Sequence, residues 1–159
     1  MTDHESIMFN SNGPDMTYAL GQRLSELLTG GDVVGLYGDL GSGKTLMAQG
    51  ICLGLDVKDY VTSPSFTIMQ MYEGRLPVYH FDFYRLNSPK DVENLDVDSY
   101  LESNGITLVE WPEMGETFFP KDKFSVTISR ILKNNKIVEK KRTIRIEGPK
   151  NRGLDGLDK

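Results

Sequence analysis

A single cysteine, Cys52, and two histidines, His4 and His80, are the only thiol and imidazole groups among the 159 residues. One cysteine closes no internal disulfide, and a structural zinc site takes four Cys or His ligands, so redox and zinc roles are both disfavoured. No apolar run approaches the ~20 residues of a membrane-spanning helix. The start carries Asp3 and Glu5 ahead of any apolar stretch, the wrong polarity for a secretory leader, and the expectation is a cytoplasmic protein. Arginine is scarce in most of the chain: residues 1–120 contain only Arg23, Arg75 and Arg85. Internal repeats and low-complexity tracts are also missing.

What is present has the makeup of one ordinary domain, with 38% hydrophobic and 26% charged residues. Residues 1–148 are read as a single domain and 149–159 as a disordered tail. The net charge of −5 hides a division along the chain. Residues 1–120 hold 6 Lys+Arg against 18 Asp+Glu, whereas 121–159 hold 12 against 5. The body is acidic and the end is basic.

Met16, Ala19, Leu20, Leu24, Leu27 and Leu28 share one helical face, with Pro14-Asp15 marking the start and Gly30-Gly31 the stop. Val33-Val34-Gly35-Leu36-Tyr37 is a short run of strand formers that leads into a glycine-rich turn. Beyond it Leu46, Met47, Ile51, Cys52 and Leu55 form a second helical stripe, ending near Gly54. Two β-rich runs, 66–72 and 76–84, flank Glu73-Gly74-Arg75 at hairpin spacing. Ser88-Pro89 opens an acidic helix through Leu95, and 106–111 is a buried strand closed by Pro112. Residues 124–132 and 136–146 alternate around Asn134-Asn135, a second expected hairpin.

Gly38-Asp39-Leu40-Gly41-Ser42-Gly43-Lys44-Thr45 satisfies G-x-x-x-x-G-K-[ST] and lies between an apolar strand and a helix, where a P-loop belongs. The glycines let backbone amides turn toward phosphates, and the helix N-terminus adds partial positive charge. Lys44 reaches the terminal phosphates and Thr45 offers a hydroxyl to Mg²⁺. A dinucleotide fold fails because Leu46 stands where G-x-G-x-x-G needs its third glycine. A P-loop also needs a carboxylate at a neighbouring strand end to hold Mg²⁺ or its waters. Asp82, in Val78-Tyr79-His80-Phe81-Asp82-Phe83-Tyr84-Arg85, and Glu110, closing Ile106-Thr107-Leu108-Val109-Glu110, are both candidates. Either could instead be a strand-end charge in solvent. His80 reads as a core histidine with both nitrogens satisfied, and Arg85 as a partner of Asp82 or of a phosphate. Thr62-Ser63-Pro64-Ser65-Phe66 reads equally as a segment reaching for the γ-phosphate or as a polar turn before a strand.

With GDLGSGKT, TSPSF, HFDFYRL and LVEWPE in that order, the sequence resembles the TsaE (YjeE) family, ATPases of tRNA threonylcarbamoyladenosine biosynthesis. The resemblance runs from about Thr17 to Arg145. Ser42 stands for the usual alanine, Leu46 for a common second threonine and Ser65 for the threonine of SPTF. It implies an α/β, three-layer P-loop fold with a mixed sheet, antiparallel hairpins being added to a parallel core. It also implies slow Mg²⁺-dependent ATP hydrolysis in support of TsaD and TsaB, which modify adenosine 37 of ANN-decoding tRNAs. By the same resemblance Thr45 and Glu110 coordinate Mg²⁺, Asp82 is the essential acid of the HxDxYR strand, and Thr17 lies near the nucleotide.

Other functions leave testable marks. Guanine recognition would need N-K-x-D, and the only Asn-Lys pair, Asn135-Lys136, continues with Ile137-Val138. A small-molecule kinase would need arginines around an acceptor phosphate, which residues 1–120 scarcely provide. A nucleotide-gated binding module without significant turnover is the reading from a different class. The basic end, with Arg130, Lys133, Lys136, Lys140, Lys141, Arg142 and Arg145, either meets an anionic surface such as tRNA or a partner's acidic face, or is a solvated hairpin whose charges protect a sheet edge.

Overall fold

Strands that read as continuous apolar runs sit in the middle of a sheet and are covered on both faces. That is the case for β2 (Val33–Tyr37), β4 (Pro77–Asp82) and β5 (Ile106–Glu110), whose residues are almost all buried. The computed structural model describes residues 3–158. The remaining strands are β1 (His4–Ser11), β3 (Met69–Glu73), β6 (Phe124–Lys133) and β7 (Lys136–Pro149). They form one seven-stranded sheet in the order β1-β7-β6-β2-β5-β4-β3. The inner block β6-β2-β5-β4 is parallel, while β3 on β4, β7 on β6 and β1 on β7 are antiparallel. The sheet is therefore mixed, as the family resemblance implies.

Successive side chains of a strand face opposite ways, and two cores result. Val34, Leu36 and Leu108 pack with Leu20, Leu24, Met47 and Ile51 of α1 (Pro14–Ser25) and α2 (Lys44–Gly54). Val33, Val109 and Phe81 pack on the other face with Val92 of α3 (Pro89–Glu93), Val97 of α4 (Val97–Leu101) and Phe119. Helix, sheet and helix make three layers. Among the described residues no helix is long and apolar enough to cross a membrane.

Local chemistry explains most boundaries. Asn134 and Asn135 have φ of 53° and 62°, the two positive values of a type I′ hairpin turn, and asparagine tolerates them. The acidic helix expected from Ser88 through Leu95 forms as Pro89–Glu93, and beyond it Asp96, with φ 56°, precedes a second short helix that the expectation did not include. The expected strand at 66 begins only at Met69, since Pro64 to Ile68 close a turn through the Ile68 N–H to Pro64 carbonyl bond. β1 lies outside the expected elements, as its inward row is short: Ile7 and Phe9 pack on the core while Ser6, Met8 and Asn10 are exposed.

The end of the chain differs most from expectation. Of the tail expected to be disordered, 149–159, Lys159 lies outside the described residues, whereas Leu154–Asp158 is a 3-10 turn with Leu154 and Leu157 buried in the α1 and α2 core. Arg152 anchors it by donating to the Asp32 carboxylate at 2.5 Å and to the Leu27 carbonyl at 3.0 Å. Two leucines on one face, separated by Asp155 and Gly156, are enough to dock a short turn. Leu157→Ala should lower unfolding stability by about 2–3 kcal/mol, the range of a buried leucine truncation. A urea midpoint within error of the parent would show that the turn contributes nothing.

Candidate functional site

Three neighbouring strand ends converge on one place. β2 runs into the glycine loop, Glu110 closes β5 beside it in register with Leu36, and Asp82 closes β4 in register with Glu110. Ligands of open α/β sheets bind outside the carboxyl ends of the strands for this reason. The loop requires glycine three times, at Gly38, Gly41 and Gly43, with φ of 145°, 77° and 119°. α2 begins at Lys44, and its first amides have no intrahelical acceptor and are available to an anion.

The Lys44 side chain is buried, and its ammonium donates to the carbonyls of Gly38 and Asp39, the latter at 2.9 Å. It also lies 3.8 Å from the centre of the Trp111 ring. Burial pushes its pKa below the ordinary lysine value, opposed by the carboxylates of Glu110, Glu113, Asp82 and Asp39. Thr45 donates its hydroxyl to Glu110 Oε1 at 2.9 Å. The other carboxylate oxygen, Oε2, is 2.7 Å from His80 Nε2. Glu110 is thus held at both oxygens and only 2% exposed.

Asp82 is equally enclosed. Its Oδ2 accepts from the hydroxyls of Ser63 at 2.8 Å and Ser65 at 3.1 Å, and its Oδ1 from the Tyr84 amide at 2.9 Å. The 62–66 segment therefore docks on Asp82 through its serines. Arg85 does not pursue the carboxylate; its guanidinium lies over the Phe66 ring at 4.2 Å. A cleft of about 310 Å³ gathers Lys44, Thr45, Ser63, Asp82, Glu110 and Trp111.

A second, smaller cleft of about 180 Å³ opens on the far side of the loop, between Thr17, Gly41, Ser42, Gly43, Lys140 and Arg142. Thr17 is buried and shares a 2.8 Å hydrogen bond with Ser11. The Ser42 hydroxyl is buried without a hydrogen-bond partner. Asp39 and Leu40 stand exposed on the outer rim of the loop. The expected site residues, Thr17, 38–45, Asp82 and Glu110, therefore lie on or beside the loop or at an adjoining strand end.

A family model described as threonylcarbamoyl adenosine biosynthesis protein TsaE matches residues 11–143. The chain belongs to the TsaE family. The tRNA threonylcarbamoyladenosine biosynthesis protein TsaE of Bacillus subtilis is 35% identical over 127 residues, 79% of each chain. That of Synechocystis is 45% identical over 107 residues, covering 63% of this chain and 68% of its own. The crystal structure of Bacillus subtilis YdiB superposes with a TM-score of 0.78 at 29% identity, covering 98% of this chain and 93% of that one. These findings place the chain among proteins of tRNA threonylcarbamoyladenosine biosynthesis.

Four contacts of this TsaE-family site lie outside the sequence reading. His80, expected as a core histidine with both nitrogens satisfied, is fully buried but bonded to Glu110, and its Nδ1 has no partner. The sequence carries part of the signal: His80 and Asp82 are two apart and share a face of β4, and the β4–β5 register sets that face beside Glu110. Trp111 carries the Lys44 ammonium on its ring, held there by a left-handed backbone at φ 54°. Arg130 and Arg142, read as part of a basic patch, both donate to carbonyls of the loop. The hairpin charges are in fact divided between faces, since Arg145 pairs with Glu147 at 2.8 Å on the opposite side.

Proposed function

We propose that the chain binds Mg-ATP on the 38–45 loop and hydrolyses it slowly in the cytoplasm. It acts there in support of TsaD and TsaB as they form N6-threonylcarbamoyladenosine at adenosine 37 of ANN-decoding tRNAs. The observation that carries the nucleotide reading is the 2.9 Å bond between Thr45, in the first turn of the P-loop helix, and Glu110, at the end of the adjoining parallel strand. Two hard oxygen donors so placed fit Mg²⁺, which takes one or two protein oxygens and completes its shell with phosphate and water. Thr45 and Glu110 would hold the ion, and when bound it supplies neutralisation of the phosphate charge. Lys44 binds the terminal phosphates, exchanging its carbonyl partners for them. The Trp111 ring covers one side of the ammonium, which lies 3.8 Å from the ring centre.

Slowness follows from the acids. Asp82 has both carboxylate oxygens committed to Ser63, Ser65 and the Tyr84 amide, so activating a water requires rearrangement of the 62–66 segment. The involvement of TsaD and TsaB rests on the family, and contact with tRNA through the basic hairpin belongs to the same proposal. Its exposed cations, Lys133, Lys136, Lys140 and Lys141, are those left for an anionic surface.

Trp111 is the only tryptophan, and Lys44 lies on its ring, so titrating Mg-ATP should change its emission as the ammonium moves to phosphate. Silent emission across a range that saturates binding would place the ring away from the nucleotide. Labelled γ-phosphate should appear as free phosphate. Label on a small acceptor would turn the reading into a kinase, and no release even with partner proteins would leave a nucleotide-gated binding module.

A further inference from the structure

In β6 the side chains of Phe124, Val126 and Ile128 point into the core, and in β7 so do Ile144 and Ile146. Alternation puts Arg130 and Arg142, one step beyond each row, on that same face, where the 38–45 loop leaves β2. The two arginines are register partners across the ladder. Like charges directly opposite in a sheet destabilise it unless each finds an acceptor.

The acceptors are three consecutive carbonyls of the loop. Arg130 Nη2 donates to Leu40 O. Arg142 Nε donates to Ser42 O at 3.0 Å, and its Nη2 lies 3.5 Å from Gly41 O. A Cβ at Gly41 would come within 2.6 Å of Arg130 Nη2 and would displace the guanidinium. Immediately beyond Arg130 the register shifts, Ile131 pairing with Val138, so that 139–141 bulge with Lys140 at φ 66°. A bulge of this kind twists a strand and re-aims its side chains. In a trans peptide the carbonyl and the following amide point in opposite directions. Holding the carbonyls of 40, 41 and 42 toward the hairpin therefore turns the amides of Gly41, Ser42 and Gly43 the other way, where the Ser42 amide donates to the Asp39 carbonyl at 3.0 Å.

We infer that Arg130 and Arg142 are positioning residues that brace the loop from outside, pre-orienting its amides for a polyphosphate. The inference rests on the nucleotide reading above. Bracing acts before any ligand arrives, which separates it from a direct contact between arginine and phosphate. Arg→Lys is not conservative at 142, because the planar fork fixes the directions of its bonds, Nε to Ser42 O and Nη2 toward Gly41 O, whereas an ammonium carries no such fixed geometry.

The test combines Mg-ATP titration with amide hydrogen exchange on the nucleotide-free protein, for Arg130→Gln, Arg142→Gln and Arg142→Lys. Each glutamine variant should raise the Kd for Mg-ATP roughly tenfold, and the lysine variant several-fold, with kcat at saturation within about twofold of the parent. Exchange at the Ser42 amide, which is bonded to the Asp39 carbonyl at 3.0 Å, should speed up in all three while β2 and β5 keep parent protection. Parent-like exchange at the Ser42 amide overturns the bracing, and if binding is weakened all the same it reassigns the arginines to ligand contact. Should a glutamine variant fail to fold, Arg142→Lys decides alone by the same two readings. Lys44→Ala is the control: parent-like ATP binding in that variant sinks the nucleotide reading, while exchange in the arginine variants still decides the bracing.

Discussion

Lys44→Ala should raise the Kd for Mg-ATP by roughly 100-fold or more and bring phosphate release to background. The size of the effect comes from what surrounds the lysine. Glu110, Glu113, Asp82 and Asp39 all act on its ammonium, so removing it leaves an enclosed site of one sign, facing a ligand of the same sign. Burial adds to the loss, because a charge interaction of a desolvated ammonium is screened far less than one at the surface. Lys44→Arg should not rescue binding: the guanidinium is larger than the space between the Gly38 and Asp39 carbonyls and the Trp111 ring. Melting temperature provides the control, since the side chain supports no apolar cluster. Parent-like affinity and turnover in Lys44→Ala would remove the P-loop from the function altogether.

The parts of this site that were legible in the sequence are those fixed by local rules. The loop pattern needs a strand before it and a helix after it, and both are recognisable from periodicity within twenty residues. Asn134-Asn135 announces its hairpin because few residues accept two left-handed conformations in succession. Glu110 stands out as an acid closing an apolar run, and Asp82 as a polar insertion within one. What was not legible depends on pairing between distant segments. β1 is specified only by β7, more than a hundred residues away, and its own apolar row is two side chains long. The 3-10 turn at Leu154 is ordered by a core that α1 and α2 build. Arg130 and Arg142 looked like members of a charge cluster because composition counts them together with Lys140 and Lys141. Alternation along the strand, extended from Ile128 and Ile144, separates them from that cluster. His80 was assigned to the core because it lies in an apolar strand; only the β4–β5 register brings its ring to Glu110.

Glu110→Gln is expected to reduce the turnover number by about 100-fold while changing the Kd for Mg-ATP by no more than about threefold. The substitution keeps the shape and hydrogen-bonding reach of the side chain, so Thr45 can still donate to its oxygen. What is removed is the negative charge at the end of β5, beside the threonine that would share the metal. A group that acts on developing charge matters more in the transition state than in the bound ground state, so the loss falls on kcat. His80 sharpens the test. Its Nε2 faces Oε2 at 2.7 Å, and a glutamine amide nitrogen placed there would meet an N–H donor unless the imidazole changes tautomer. Pairing Glu110→Gln with His80→Ala therefore separates charge from orientation. If charge is the operative property, the double variant should be as slow as Glu110→Gln alone, whereas His80→Ala alone should retain most turnover and require more Mg²⁺ to reach it. Parent-like turnover in Glu110→Gln, with the fold intact by its melting temperature, would return Glu110 to a purely structural part in the Thr45 and His80 contacts.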